Sequence, residues 1–114
     1  MRKLLAPVVL VLACGLMAVF SSSAPSATRV KVGDNYFVRA SGVPTVTVSK
    51  GTRVKWYWTG ERLHNVKAVS GPARFGSDSM KSGTYTKRVR KRGTYTIICT
   101  VHGAEDQKMK LVVK

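Results

Sequence analysis

From Arg29 to the end of the chain, no stretch keeps a helical spacing of apolar residues for any useful length, while short runs rich in Val, Thr, Tyr and Trp recur between glycines and prolines. β-branched and aromatic side chains suit a pleated, half-buried surface, and Gly and Pro cut such runs into short strands. The pattern predicts strands at Arg29–Val32, Tyr36–Ala40, Thr45–Ser49, Thr52–Trp58, Asn65–Ser70, Thr84–Arg90, Thr94–Thr100 and Lys108–Val113. About eight short strands in so short a chain predict an all-β fold, a Greek-key β-sandwich. Turn residues set the boundaries at Gly42-Val43-Pro44, Lys50-Gly51 and Lys91-Arg92-Gly93. The segment Gly71–Gly83 has weak periodicity and reads as a long connection.

Alternation is clearest after Thr94, where Tyr95, Ile97 and Cys99 share one face and Thr94, Thr96 and Ile98 the other. Cys99 is therefore expected to point inward. Val54, Trp56 and Trp58 form another in-phase set and read as core packing.

Residues 1–27 differ from the rest. A basic start, Arg2-Lys3, is followed by an apolar run from Leu4 to Phe20 and a small-residue tract, Ser21–Ala27, the layout of a secretory signal peptide. Residues 28–114 are then the mature domain, exported to the periplasm, the cell surface or beyond. The run is at the short edge of the roughly 17–25 residues a spanning helix needs, and Pro7 and Gly15 interrupt it, so removal is expected rather than retention as an anchor. Val11-Leu12-Ala13-Cys14 resembles a lipoprotein box and leaves a tether through Cys14 as an alternative, although Leu16–Phe20 extend the apolar run past it.

Residues 28–114 keep 18 of the 20 Lys and Arg and all 5 acidic residues, a net charge of 18 minus 5, or +13. Such a charge attracts anionic partners in a salt-dependent way. For an exported chain these are acidic proteins, anionic lipids or cell-surface polymers rather than nucleic acid, and a monomer is the default.

Without the leader the chain has one cysteine, Cys99, and a lone thiol in an oxidising compartment needs a role other than a disulfide. His102 lies three residues beyond it, and His64, the other histidine of the chain, opens a predicted strand. A thiolate and two imidazoles are the equatorial donors of a blue-copper site, completed by a weak axial Met or Gln. Cys99 and His102 reach one metal from a short loop, and His64 must arrive from elsewhere in the fold. Zinc accepts the same donors, but copper binds such sets more tightly.

His64-Asn65-Val66, combined with Gly93-Thr94-Tyr95-Thr96-Ile97-Ile98-Cys99-Thr100-Val101-His102 and a closing apolar strand, resembles the plastocyanin and amicyanin branch of the cupredoxins. Val43-Pro44, Val46-Thr47-Val48, Gly51 before Val54, and Ser82-Gly83 before Tyr85 extend the likeness over nearly the whole domain. The resemblance implies one Cu(I)/Cu(II) ion held by His64, Cys99 and His102, with Asn65 bracing the ligand loops. It also implies single-electron transfer through the edge of His102, beside Gly103 and Ala104.

The axial position departs from the family pattern. Met109 is the conventional donor, but six residues separate it from His102, more than the family usually has. Gln107, after four residues, aligns its tail with the family ending without a gap, and an amide oxygen is a recognised substitute. Gln107 is the preferred candidate and Met109 the alternative.

The densest charge run, Lys87, Arg88, Arg90, Lys91 and Arg92, reads either as an exposed strand face and turn or as a docking surface for an acidic redox partner. Two rival functions use the same residues differently. One is a copper scavenging or delivery protein without redox turnover, the other a metal-free basic sandwich that binds anionic surfaces. No convincing nucleophile, base and orienting group come together in the sequence, so an enzyme is not expected.

Overall fold

The computed structural model describes residues 27–114, which form two packed β-sheets. One sheet has β1 (Ala27–Gly33), β2 (Tyr36–Phe37), β4 (Arg53–Trp58) and β7 (Thr84–Arg88), in the order β2-β1-β4-β7. The other has β3 (Thr45–Val48), β5 (Lys67–Ser70), β6 (Phe75–Gly76), β8 (Gly93–Ile98) and β9 (Lys108–Val113), in the order β3-β9-β8-β5-β6. The chain passes repeatedly from one sheet to the other, which makes parallel neighbours of β1 and β4 and of β3 and β9.

The all-β sandwich expected from the sequence is the observed fold, with corrections at the strand ends. There are nine strands rather than about eight, because Phe75–Gly76, inside the expected connection, pairs with Lys67 and Ala68. The second strand stops at Phe37 instead of Ala40, since Val38 takes φ 66° and leaves the extended region. The fifth begins at Lys67 rather than Asn65, and the seventh ends at Arg88 rather than Arg90. The signal peptide and Cys14 lie outside the described residues, except that Ala27, expected to close the leader, opens β1 opposite Arg53.

The inward faces follow the period of two. Val30, Val32, Val54 and Trp56 from one sheet meet Tyr95, Ile97, Met109 and Leu111 from the other, all buried. Trp56 is fully enclosed, its ring 5.7 Å from Tyr85 and 6.1 Å from Phe75. Burying an indole of about 200 Å² contributes about 5 kcal/mol before entropy is counted. Trp56 and Trp58 therefore serve as core.

Strand directions give the sandwich two ends. β1 and β4 run towards one end, β8 joins them there at Cys99, and β9 starts from it at Lys108. The turns at 49–52, 71–74 and 89–92 lie at the other end, as the pairing of Arg53 with Arg88 and of Gly93 with Val113 requires.

Candidate metal centre

Inward alternation along β8 buries Tyr95, Ile97 and then Cys99, the first residue past the strand. The chain then turns back on itself: the amide of Gly103 donates to the Cys99 carbonyl at 2.8 Å, and that of Gln107 to the Gly103 carbonyl at 3.1 Å. Gly103 has φ 92°, a conformation that a side chain opposes. The turn brings His102, half-buried, over the thiol, with Nδ1 3.5 Å from Sγ of Cys99.

His64 comes from the segment linking β4 to β5. It forms an isolated bridge instead of opening a strand: its amide donates to the Met80 carbonyl at 3.0 Å, and that of Met80 donates back at 2.9 Å. Its carbonyl accepts from the indole of Trp58 at 3.3 Å. The imidazole is fully buried, and its Nδ1 lies 3.9 Å from Sγ of Cys99.

The other ring nitrogen, Nε2, is 2.8 Å from Oδ1 of Asp34 in the β1–β2 turn. An ionised carboxylate can only accept, so Nε2 carries the proton and Nδ1 presents a lone pair to the thiol. The same carboxylate accepts the amides of Glu61 and Arg62 at 3.0–3.1 Å. These hydrogen bonds, His64 first, hold the Asp34 carboxyl down at about 2, against 3.8 ordinarily. Asp34 escaped the sequence reading: Asp34-Asn35 signals a two-residue turn, while the contact to a residue thirty positions later arises from the parallel pairing of β1 with β4.

His64, Cys99 and His102 thus present three donor atoms within 4.8 Å of one another. Metal bonds of about 2.0 Å to nitrogen and 2.3 Å to sulfur, at angles between tetrahedral and trigonal, set nitrogen and sulfur about 3.5–3.8 Å apart. The observed 3.5 and 3.9 Å match that spacing before any ion is considered. One thiolate and two imidazoles form the trigonal set that suits copper.

The remaining expected site residues fall in two places. Asn65 joins the ligand loops: its Nδ2 donates to Thr100 Oγ1 at 2.7 Å, and its Oδ1 accepts the Thr100 amide at 2.8 Å. Gln107 is buried beside Cys99, and its carbonyl accepts the Cys99 amide at 3.2 Å. Met109 lies two residues further along, opposite Ile97 and within the apolar core. Lys87, Arg88, Arg90, Lys91 and Arg92, by contrast, gather round the start of β8. Cys99 is six residues along the chain from Gly93, about 20 Å in an extended strand.

No protein-family model matches the chain, and no curated protein matches it. Solved structures do. A glutamine-for-methionine variant of amicyanin in the Cu(I) state is 28% identical, with 78% of this chain and 83% of that one covered and a TM-score of 0.65. A leucine-for-methionine variant of oxidised amicyanin is 27% identical over 81% of this chain and 86% of that one, also at 0.65.

The fold and the His-Cys-His cluster together support assignment to the cupredoxin family.

In this chain the donor histidine nearer the N-terminus is held by a carboxylate from the β1–β2 turn, and a glutamine stands beside the cysteine. The donor set and the fold together fit one copper ion.

Proposed function

We propose that this cupredoxin is an exported electron carrier, not an enzyme, that binds one copper ion through His64 Nδ1, Cys99 Sγ and His102 Nδ1. The observation that carries the proposal is the preformed donor set, with two donors fully buried and His102 alone reaching the surface. Copper, when bound, supplies the one-electron couple. The protein supplies rigidity: Asp34 fixes the His64 tautomer, Asn65 ties the His64 and Cys99 loops, and the sandwich excludes water from the thiolate.

A redox partner meets the site at the edge of His102. Val101, 45% exposed, and Leu63, 41% exposed, lie next in sequence to ligands and give that end apolar contact area. Asp34, Glu61, Glu105 and Asp106 stand at this end together with the exposed Arg62 and Lys81, so the acidic partner expected from the sequence would meet charge of both signs here. A mixed or weakly charged partner surface fits better.

In this reading Gln107 would supply the further, weak donor to the ion through its Oε1. Continuing the β8–β9 register, Ile97 with Met109 and Ile98 with Lys108, brings Cys99 opposite Gln107. Its Nε2 donates to the carbonyls of Tyr36 at 2.9 Å and Gly33 at 3.3 Å, which fixes the amide orientation. Oε1 is left buried without a partner, an arrangement that costs about 1–3 kcal/mol unless something accepts its lone pair. The hard oxygen favours Cu(II) over Cu(I) more than a thioether does, so the reduction potential is expected to lie below that of a methionine-ligated site.

Titration of residues 27–114 with Cu(II), followed by visible absorption and paramagnetic resonance, tests the proposal. An intense thiolate-to-copper band that Cys99→Ser abolishes is expected; a colourless protein without stoichiometric copper would refute it. Gln107→Leu should shift spectrum and potential while Met109→Leu leaves them unchanged, and the reverse result would assign the axial role to Met109. Delivery without redox turnover predicts rapid loss of copper to a chelator, whereas the buried His64 and Cys99 predict retention.

A further inference from the structure

The acidic residues of the domain gather at one end, and the densest group of cations at the other. Asp34 and Glu61 adjoin His64, Glu105 and Asp106 lie between His102 and Gln107, and Asp78 is two residues from Met80, the partner of His64. These are all five acidic residues of the chain. The opposite end carries cations alone. Lys50 and Arg53 flank its first turn, Arg74 sits in the second, and the backbone of Lys114 pairs there with Lys50.

The third turn adds the dense run. Lys87, Arg88, Arg90 and Lys91 rim a groove floored by Phe75 and Tyr95, and Arg92 is exposed beside them. Among the described residues, none of these cations forms an ion pair. Arg53 stands directly opposite Arg88 in the β4–β7 ladder, a like-charge pairing that costs stability unless an anion lies nearby.

This end is separated from Cys99 by about 20 Å of strand, more than twice the Debye length of about 8 Å at physiological salt. Its field is therefore screened at His102 and does not serve docking there. What enters the domain at this end is the chain before Ala27, since Ala27 pairs with Arg53. That preceding segment carries the apolar run Leu4–Phe20 and the residues Arg2 and Lys3.

We propose that the cationic end is a membrane-docking surface that takes the phosphate headgroups of anionic phospholipids. Docked this way, the domain turns its metal-binding end, with His102, away from the bilayer and towards soluble partners. A flat anionic surface suits cations spread over three turn tips. Each Lys or Arg held near an anionic bilayer strengthens binding roughly fivefold.

The test is co-sedimentation of residues 27–114, which contain every described strand, with vesicles of equimolar phosphatidylglycerol and phosphatidylcholine. Binding is expected to these vesicles, to weaken with added salt, and to be absent with phosphatidylcholine alone. The pair Arg90→Ser and Lys91→Ser, both exposed, should weaken it roughly twenty-five-fold. The pair Arg62→Ser and Lys81→Ser, exposed towards the other end, should change it little. Arg92→Glu gives an independent loss should the first pair disturb the turn, and thermal unfolding checks that each variant is folded. Metal-free and copper-loaded protein should bind alike, so the outcome is independent of what the metal centre does. Equal binding to uncharged vesicles, or equal loss in both pairs, would overturn the proposal. So would tighter binding to soluble polyglutamate than to the anionic vesicles, which would assign the surface to an acidic protein.

Discussion

Replacing Asn65 by alanine removes both hydrogen bonds that join the His64 loop to the Cys99 loop, at 2.7 and 2.8 Å to Thr100. A typical intramolecular hydrogen bond contributes about 0.5–1.5 kcal/mol net, so the pair is worth about 1–3 kcal/mol. Thr100 is exposed, and its freed amide can turn to water, which favours the lower half of that range. Against a stability of about 0.1 kcal/mol per residue for a small domain, the loss is a large fraction. Urea unfolding of the metal-free domain reads it as a lower midpoint with an unchanged slope. Thr100→Val, which removes the Oγ1 acceptor alone, should cost about 1 kcal/mol in the native background and almost nothing once Asn65 is alanine. Copper affinity should fall roughly ten- to hundredfold in the Asn65 variant, as it does when ligand-bracing groups are lost elsewhere. An equal cost of Thr100→Val in both backgrounds would show that Asn65 and Thr100 are not coupled and refute the bracing role.

Asp34→Asn keeps an acceptor for the Glu61 and Arg62 amides but removes the negative charge beside His64, so the reduction potential measured by voltammetry should rise. Because the folded-state pKa of Asp34 is depressed, its contribution to stability is complete above pH 3.8 and is lost as the pH falls towards about 2. Acid unfolding curves of wild type and Asp34→Asn should therefore differ at neutral pH and converge at the acid end. Met109→Ala should cost about 2–5 kcal/mol in urea unfolding, as for a buried core methionine, while leaving the copper absorption band in place. Tyr95→Phe removes the hydroxyl that donates to the Lys91 carbonyl at 2.7 Å, and should lower stability by about 1 kcal/mol without affecting copper binding.

The strands and the inward set Tyr95, Ile97 and Cys99 were legible because side-chain alternation is a local property of an extended chain. Strand ends were less legible, since Val38 leaves the β-region and Phe75–Gly76 gains a partner for reasons outside their own segments. His64, Cys99 and His102 could be named as donors from residue chemistry and spacing. Their 3.5 and 3.9 Å approach could not, because His64 comes from the segment between β4 and β5. The choice between Gln107 and Met109 was open on spacing alone. Register sets Met109 level with Ile97, and the Cys99 amide donates to the Gln107 carbonyl, which supports the proposal made for Gln107.

By itself, then, the order of residues determined that this is a β-sandwich carrying one thiolate and two imidazoles, since periodicity and donor chemistry are carried in the chain. Tertiary structure decided which groups surround those donors. The parallel pairing of β1 with β4 brings Asp34 to His64 across thirty positions. The directions of β7 and β8 carry the basic run to the end remote from Cys99, although in sequence the two are neighbours. Charge along a chain is one-dimensional, and a strand of six residues is long enough to turn nearness in sequence into separation in space.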